Sequence, residues 1–464
     1  MTQSTPQPPE PARSIRTPHP GPSATSSPAP APASAPEPDV DRAAAATAAK
    51  GRSLAPDLAR GMMLLLIALA NAQWWLWGDR ERGMTNGHPM GQEGADLGYQ
   101  LFSLVTIDGR AYPLFAFLFG YGIWQTYSRQ AAAGTDKREA HRLLQRRHWW
   151  MLLIGTVHAL LLWYGDVIGA YAITGLIIVA AFLRRSDRVL KIWAWILTAL
   201  LGVTAVFGLI SGLLFSTGVL GGPESFGIEE SGNAMHEMVA GEADYVQFAI
   251  QSFLMWLPIT TLQVVMLTIP LAALLGILAA RRGMLDRPAE HRSALVRIAV
   301  GGIAIGWLGG AVAAAQFAGL LLPRSLDWAL MGLTSLAGVA GGIGYAALIG
   351  LIAAAIGQRR GPLTTPITAL GKRSLTGYLL QSVLFAVGMA AWGFGLGAQL
   401  GPLATAGYAV GVWLVTVLVA WLLDRAGKRG PAEMLLRRLQ YGREGARRIA
   451  PPSEVRSEQQ PARV

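Results

Sequence analysis

Trp328-Ala-Leu-Met-Gly-Leu-Thr-Ser-Leu-Ala-Gly338-Val-Ala-Gly-Gly342-Ile-Gly-Tyr-Ala-Ala-Leu-Ile-Gly-Leu-Ile-Ala-Ala-Ala-Ile356 runs without one charged side chain. About 20 apolar residues in a helix cross the hydrocarbon of a bilayer, so this stretch reads as a membrane span. Working outward, nine more stretches read the same way. The ten expected spans are 61–77, 111–127, 148–164, 167–183, 192–215, 252–280, 298–322, 328–356, 374–397 and 403–423, separated by short polar breaks. Composition agrees, since 52% of the 464 residues are hydrophobic and only 14% charged, against about 25% charged in a soluble domain. The expected fold is all-α, a polytopic bundle of about ten transmembrane helices. With no cysteine in the chain, disulfides, thiolate metal sites, catalytic thiols and iron–sulfur clusters are excluded.

Ten spans bring both termini to one side, and charge tests that alternation. All but four of the 39 Lys and Arg fall on a single side, the exceptions being Arg80, Arg82, Arg110 and Arg324. The opposite side collects acids, among them Glu224, Glu229, Glu230, Glu237, Glu242 and Asp244. By the positive-inside rule the basic side is cytoplasmic, which places the chain in the cytoplasmic (inner or plasma) membrane with both termini inside. The net charge of +11 then reflects topology and contact with anionic lipid headgroups; the lipid bilayer is the expected partner and nucleic acid is not.

Residues 1–52 hold twelve of the 27 prolines and no apolar run, and read as a disordered cytoplasmic tail without a secretory signal. A membrane domain is expected over 53–442, with an N-terminal half at 53–245 and a C-terminal half at 246–442. A basic disordered tail follows at 443–464. Gly302, Gly306 and Gly310, and Gly338 with Gly342, repeat every four residues, a spacing that lets helices approach closely.

Polar groups at membrane depth carry the functional signal, because each costs roughly 2.5 to 3.5 kcal/mol at a helix centre. Asp57 and Arg60, three residues apart, share a helix face at the cytoplasmic mouth of the first span. Asn71 lies about 16 Å beyond Arg60, and His158 about 15 Å beyond His148, at 1.5 Å per residue. Both therefore come near the midplane from one side. Asp166 falls about 12 Å past His158 if the helix continues, too far for direct contact without a bend or a water. Asp108 and Arg110 precede Pro113 and an aromatic helix, while the 78–100 loop adds His88, Glu93 and Asp96. These side chains either line the mouth of a pocket floored by Asn71 and His158 or belong to a solvated loop, the latter being the expectation for His88. No phosphate loop, dinucleotide fingerprint or paired-histidine zinc motif occurs, and no metal site is expected.

The pattern Asp57-x-x-Arg60-Gly61 with Asn71, then Leu114-Phe-x-Phe-Leu-Phe-Gly120-Tyr-Gly122, then Gly155-x-x-His158 with Gly165-Asp166 and Tyr171 resembles the YeiB-like family, also known as domain of unknown function 418. Gly371-x-x-Ser374-Leu375-Thr376-x-Tyr378 and Gly430-Pro431-x-Glu433-x-x-x-Arg437 resemble its C-terminal signatures. More distantly the opening is similar to heparan-alpha-glucosaminide N-acetyltransferase and its bacterial relatives, in which an Asp stands five residues before a Pro, as Asp108 and Pro113 do. That resemblance implies acyl transfer from a cytoplasmic acyl-coenzyme A, acetyl-CoA for example, to a hydroxyl or amine acceptor that is extracytoplasmic or embedded in the membrane. The superfamily's histidine follows soon after its Asn; here that stretch reads Trp74-Trp75-Leu76-Trp77-Gly78, and the next histidine is His88.

Two functions are expected. In an acyltransferase, His158 or His88 serves as general base, Asp166 or Asp108 orients it, and Asn71 donates to the oxyanion. Arg60, held by Asp57, with Arg146 and Arg147 or Lys372 and Arg373, holds the phosphates of coenzyme A. In a small-molecule transporter or exporter, the same cluster is a binding site.

Overall fold

Hydrocarbon offers no partner to backbone N–H and C=O groups, so each apolar stretch satisfies them internally, as a helix. A computed structural model describes residues 54–82, 86–219, 221, 233–357 and 361–448. The readings of the 1–52 tail, of Glu224, Glu229 and Glu230, and of residues from 449 onward lie outside the described residues. The helices are α1 (Leu54–Ala72), α2 (Gly94–Thr106), α3 (Ala111–Ala132), α4 (Lys137–Leu161), α5 (Ile168–Ala181), α6 (Asp187–Ser216), α7 (Asn233–Val239), α8 (Tyr245–Val265), α9 (Thr268–Arg281), α10 (Arg292–Phe317), α11 (Met331–Ile356), α12 (Thr364–Lys372), α13 (Ser374–Met389), α14 (Leu396–Gln399), α15 (Pro402–Arg425) and α16 (Pro431–Arg448). Two 3₁₀ turns, Gln73–Trp75 and Arg324–Leu330, follow α1 and lead into α11.

Seven described helices are long and apolar enough to cross a membrane, and α5, α9 and α13 are shorter apolar ones. Three expectations are corrected. The 252–280 span is two helices, because Leu267 takes a left-handed conformation (φ 61°) between α8 and α9. The 374–397 stretch is helical only to Met389 before the short α14. The last helix continues to Arg448, past the boundary at 442, with a kink at Gly442. Large apolar side chains such as Phe207, Leu308 and Val246 are about two-thirds exposed, which makes an apolar exterior suited to lipid.

Helix ends that alternating spans bring to one side do meet. At the basic end Arg281 donates to the carbonyls of Leu183 and Arg185, pairs with Asp187 at 2.7 Å and lies over the Trp124 ring. Tyr121 and Gln125 of α3 donate to Asp286. At the opposite end the Tyr245 hydroxyl donates to the Leu161 carbonyl, and Leu403 N–H to Asp96.

Glycine sets the inter-helix distances, as its spacing suggested. A methyl group on Gly306 would lie 2.7 Å from Cα of Gly341, and one on Gly302 3.0 Å from Cα of Gly344, so α10 and α11 touch backbone to backbone. Gly120 and Gly276 do the same for α3 and α9, and Gly61 and Gly371 for α1 and α12.

Candidate functional site

Beyond α1 the chain turns back on itself, and one buried cation holds that turn. The Arg82 guanidinium donates to the carbonyls of Gln73 (3.2 Å), Leu76 (2.8 Å) and Gly87. Desolvation, with repulsion from Arg80, pulls its pKa down to about 10 against the opposing pull of Tyr164 and Glu237, so it remains charged at neutral pH. Gln100 donates to the Pro89 carbonyl and Met90 N–H to that of Glu81, closing the loop.

This staple carries His88 into the bundle, where it is 2% exposed. Its Nε2 stands 2.8 Å from Asp108 Oδ2, Phe317 packs on it edge to face, and its Nδ1 is buried without a hydrogen-bond partner. The solvated-loop expectation for His88 is thus overturned, because Arg82 satisfies carbonyls that would otherwise have held the loop in water. Asp108 sits between α2 and α3, and Arg110 locks that joint by donating to the carbonyls of Leu104, Asp108 and Gly306. Arg110 therefore has a structural role.

His88, Asp108 and Asn71 all line one cavity of about 580 Å³ near the ends of α1, α2 and α10, within the usual size range for a small-molecule site. The Asn71 side chain makes no hydrogen bond to any described residue, leaving its amide available to the cavity. The break between α8 and α9 supplies another wall through Gln263, Met266 and Thr268.

His158 and Asp166 do not line this cavity. α4 ends at Leu161 and the chain bends through 162–167, which supplies the bend that direct contact required. His158 Nδ1 then lies 2.9 Å from Asp166 Oδ1, an ion-pair separation whose angles fall short of a hydrogen bond. Asp166 Oδ2 accepts from Gly169 N–H at 2.7 Å and caps α5. Both side chains are sealed, 3% and 0% exposed, against Tyr378. Gly155 is required there because a methyl group would meet Asp166 Oδ2 at 2.7 Å.

A second pocket, about 460 Å³, opens at the basic end, where Arg147, Lys372, Arg373, Arg429 and Arg437 surround Glu433 and Tyr441. Arg373 donates to Asp424 at 2.9 Å, and Lys372 approaches the same carboxylate at 3.5 Å. Glu433 accepts from the N–H groups of Leu375 and Thr376, capping α13, which accounts for the spacing of those motifs. Arg147, half-buried, makes no hydrogen bond or ion pair with any described residue. Arg60 pairs with Asp57 at 3.1 Å and lies near enough to Arg147 to repel it. Arg146 is exposed on the surface and lines neither pocket. Sequence reasoning missed Arg429 and Tyr441, and read Arg437 only as part of a signature. Among the described residues no cluster of three His, Asp or Glu could ligate a metal ion.

An all-helical, multi-pass membrane protein with a largely apolar cavity that carries a few polar groups, and with a basic pocket, is the class these features define. Residues 279–443 match the family model of a protein of unknown function, DUF418. Over 409 residues the chain is 26% identical to the uncharacterized protein YxaH of Bacillus subtilis (strain 168), covering 83% of this chain and 93% of that one. Together these support assignment to the DUF418, or YeiB-like, family. The matched segment contains Lys372, Arg373, Arg429, Glu433 and Arg437, whereas His88, Asp108 and Asn71 precede it. Neither match speaks to acyl transfer.

Proposed function

We propose that this protein is an integral-membrane acyltransferase, with the acceptor in the cavity and the donor entering from the basic end. One observation carries the reading: a buried histidine paired with a carboxylate at 2.8 Å in the wall of a cavity that Asn71 also lines. Asp108 accepts from Nε2–H of His88 and so fixes the tautomer, which leaves Nδ1, buried in the cavity wall, to take the acceptor's proton once a shift of that wall uncovers it. The acceptor oxygen or nitrogen then bonds to the thioester carbonyl carbon, Asn71 donates to the oxyanion, the carbon–sulfur bond breaks, and the proton passes from His88 to the leaving thiolate. Coenzyme A carries its phosphates and its thioester at opposite ends of one arm, which suits a basic pocket and a polar cavity at opposite ends of a bundle. We place the basic end in the cytoplasm and the chain in the cytoplasmic membrane, on the charge distribution.

Proteoliposomes given radiolabelled acetyl-CoA and an extract of membrane lipids and glycans provide the test. Label should move to the extract. His88→Ala should lower the rate about 10²- to 10⁴-fold, the usual contribution of a general base. His158→Ala should leave the turnover of the folded fraction intact. No transfer, with no acetyl-CoA binding by calorimetry at millimolar donor, would overturn the proposal.

The helix break at Leu267 favours a second reading, transport, because discontinuous helices commonly frame transporter sites. Transport predicts substrate movement without covalent change, and with no dependence on acetyl-CoA.

A further inference from the structure

His88 and Asp108 of the cavity, with Asn71, come from the end of α1 and the loops around it, while the α8–α9 break and the start of α11 contribute apolar side chains (Ile259, Leu262, Met266, Met331) interspersed with Gln263, Thr268, Thr334 and Ser335. Two of these, Leu262 on α8 and Met331 on α11, line the cavity yet remain 50% and 38% exposed on the apolar exterior. The packing partners of α8 are α4, α5, α7 and α9, those of α11 are α1, α3, α6, α9 and α10, and no substantial packing joins the two. The left-handed Leu267 sets α9 off from α8 there. Leu262 and Met331 are thus where cavity lining and exposed apolar surface coincide, on two helices that do not close on each other and that both pack on α9.

We propose that the acceptor is a bilayer lipid with a hydroxyl or amine head group, entering through a portal between Leu262 and Met331. Its chain lies along the apolar wall and its head reaches His88. A water-soluble acceptor would need no apolar wall continuous with the membrane, and apolar side chains at a membrane-exposed opening match an alkyl chain and repel a hydrated glycan. The chemistry of this proposal rests on the acyl-transfer reading; the binding does not.

The test uses the full-length protein in phosphatidylcholine nanodiscs doped with a phosphatidylethanolamine bearing a diazirine and an alkyne on one acyl chain, with no acyl donor present. After irradiation, crosslinks should appear on peptides containing Ile269 and Leu330, which line the cavity beside the α8–α9 break and the start of α11 and are 2% and 5% exposed. Leu262→Trp with Met331→Trp should abolish those inner crosslinks while leaving the ones on Val203 and Phe207 of the α6 exterior unchanged. Met331→Trp alone provides the comparison if the double variant fails to fold. Crosslinks confined to the exterior of the wild type, or inner crosslinks that survive the tryptophans, would overturn the proposal. Lipid entry without transfer would sink only the acyltransferase reading, and transfer to a soluble acceptor without inner crosslinks only this one.

Discussion

His236 keeps its place by staying neutral. It stacks on Trp74 at 5.3 Å and its Nδ1 lies 3.2 Å from the Trp74 carbonyl, tying α7 to the loop beyond α1. Burial, with repulsion from Arg82, pushes its pKa down to about 3 from 6.5. Above pH 6.5 both the closed and the opened states are neutral and the tie is at full strength. Between 6.5 and 3 only the opened state takes up a proton, so stability falls as pH falls. The protection of the α7 amides, taken relative to the intrinsic exchange rate at each pH, should therefore fall on acidification from pH 6.5 to 5, by on the order of 1 kcal/mol per pH unit, and His236→Gln should flatten the dependence. Glycines offer a second contrast at this scale. Gly120→Ala would drive a methyl into the Ala273 carbonyl and should cost about 1 to 3 kcal/mol through overpacking. Gly411→Ala, with nothing within 4 Å, should leave stability unchanged or raise it by about 0.5 to 1 kcal/mol. Thermal unfolding in detergent reads both.

Among the elements, the α8–α9 break is the one whose geometry the cavity needs. A leucine held at φ 61° is strained, and a β-branched residue there more so. Leu267→Ile should destabilise by about 1 to 2 kcal/mol despite its equal volume, whereas Leu267→Gly should keep the break and the cavity. Differential scanning fluorimetry separates the two, and unchanged stability in Leu267→Ile would show that the break is not maintained at this residue. Capping of α13 by Glu433 is a second element-level device. Glu433→Ala frees the N–H groups of Leu375 and Thr376 and should cost about 0.5 to 2 kcal/mol, as loss of a cap does.

For the molecule as a whole, the prediction concerns its two ends. Arg147 is a half-buried cation in the pocket that Lys372 and Arg373 also line, repelled by Arg60 and attracted by Glu433. A phosphate there would relieve that repulsion. Arg147→Ala should raise KM for acetyl-CoA about 10- to 100-fold, the worth of a charged hydrogen bond of roughly 1.5 to 3 kcal/mol, with kcat little changed. A fall in kcat at constant KM would place the donor phosphates elsewhere. Reporter fusions after Arg185 and after Thr217 should report opposite sides of the membrane, with Arg185 in the cytoplasm.

Helical class and the presence of apolar helices long enough to cross a membrane were legible in the sequence, because hydrocarbon imposes helices through local composition alone. So were Asn71, Asp108, Arg147, Lys372 and Arg373 as candidates, since a polar group at membrane depth or a basic cluster at an interface is visible one residue at a time. Which of them meet was not legible. Arg82 draws His88 inward through three carbonyls, the bend after Leu161 lets Asp166 reach His158, and Leu267 divides what hydropathy reads as one span. Each depends on contacts or backbone angles set between segments distant along the chain or at a single residue, and composition and period carry no record of those. The tertiary structure alone decided that His88 lines the cavity and that His158 is sealed away from it.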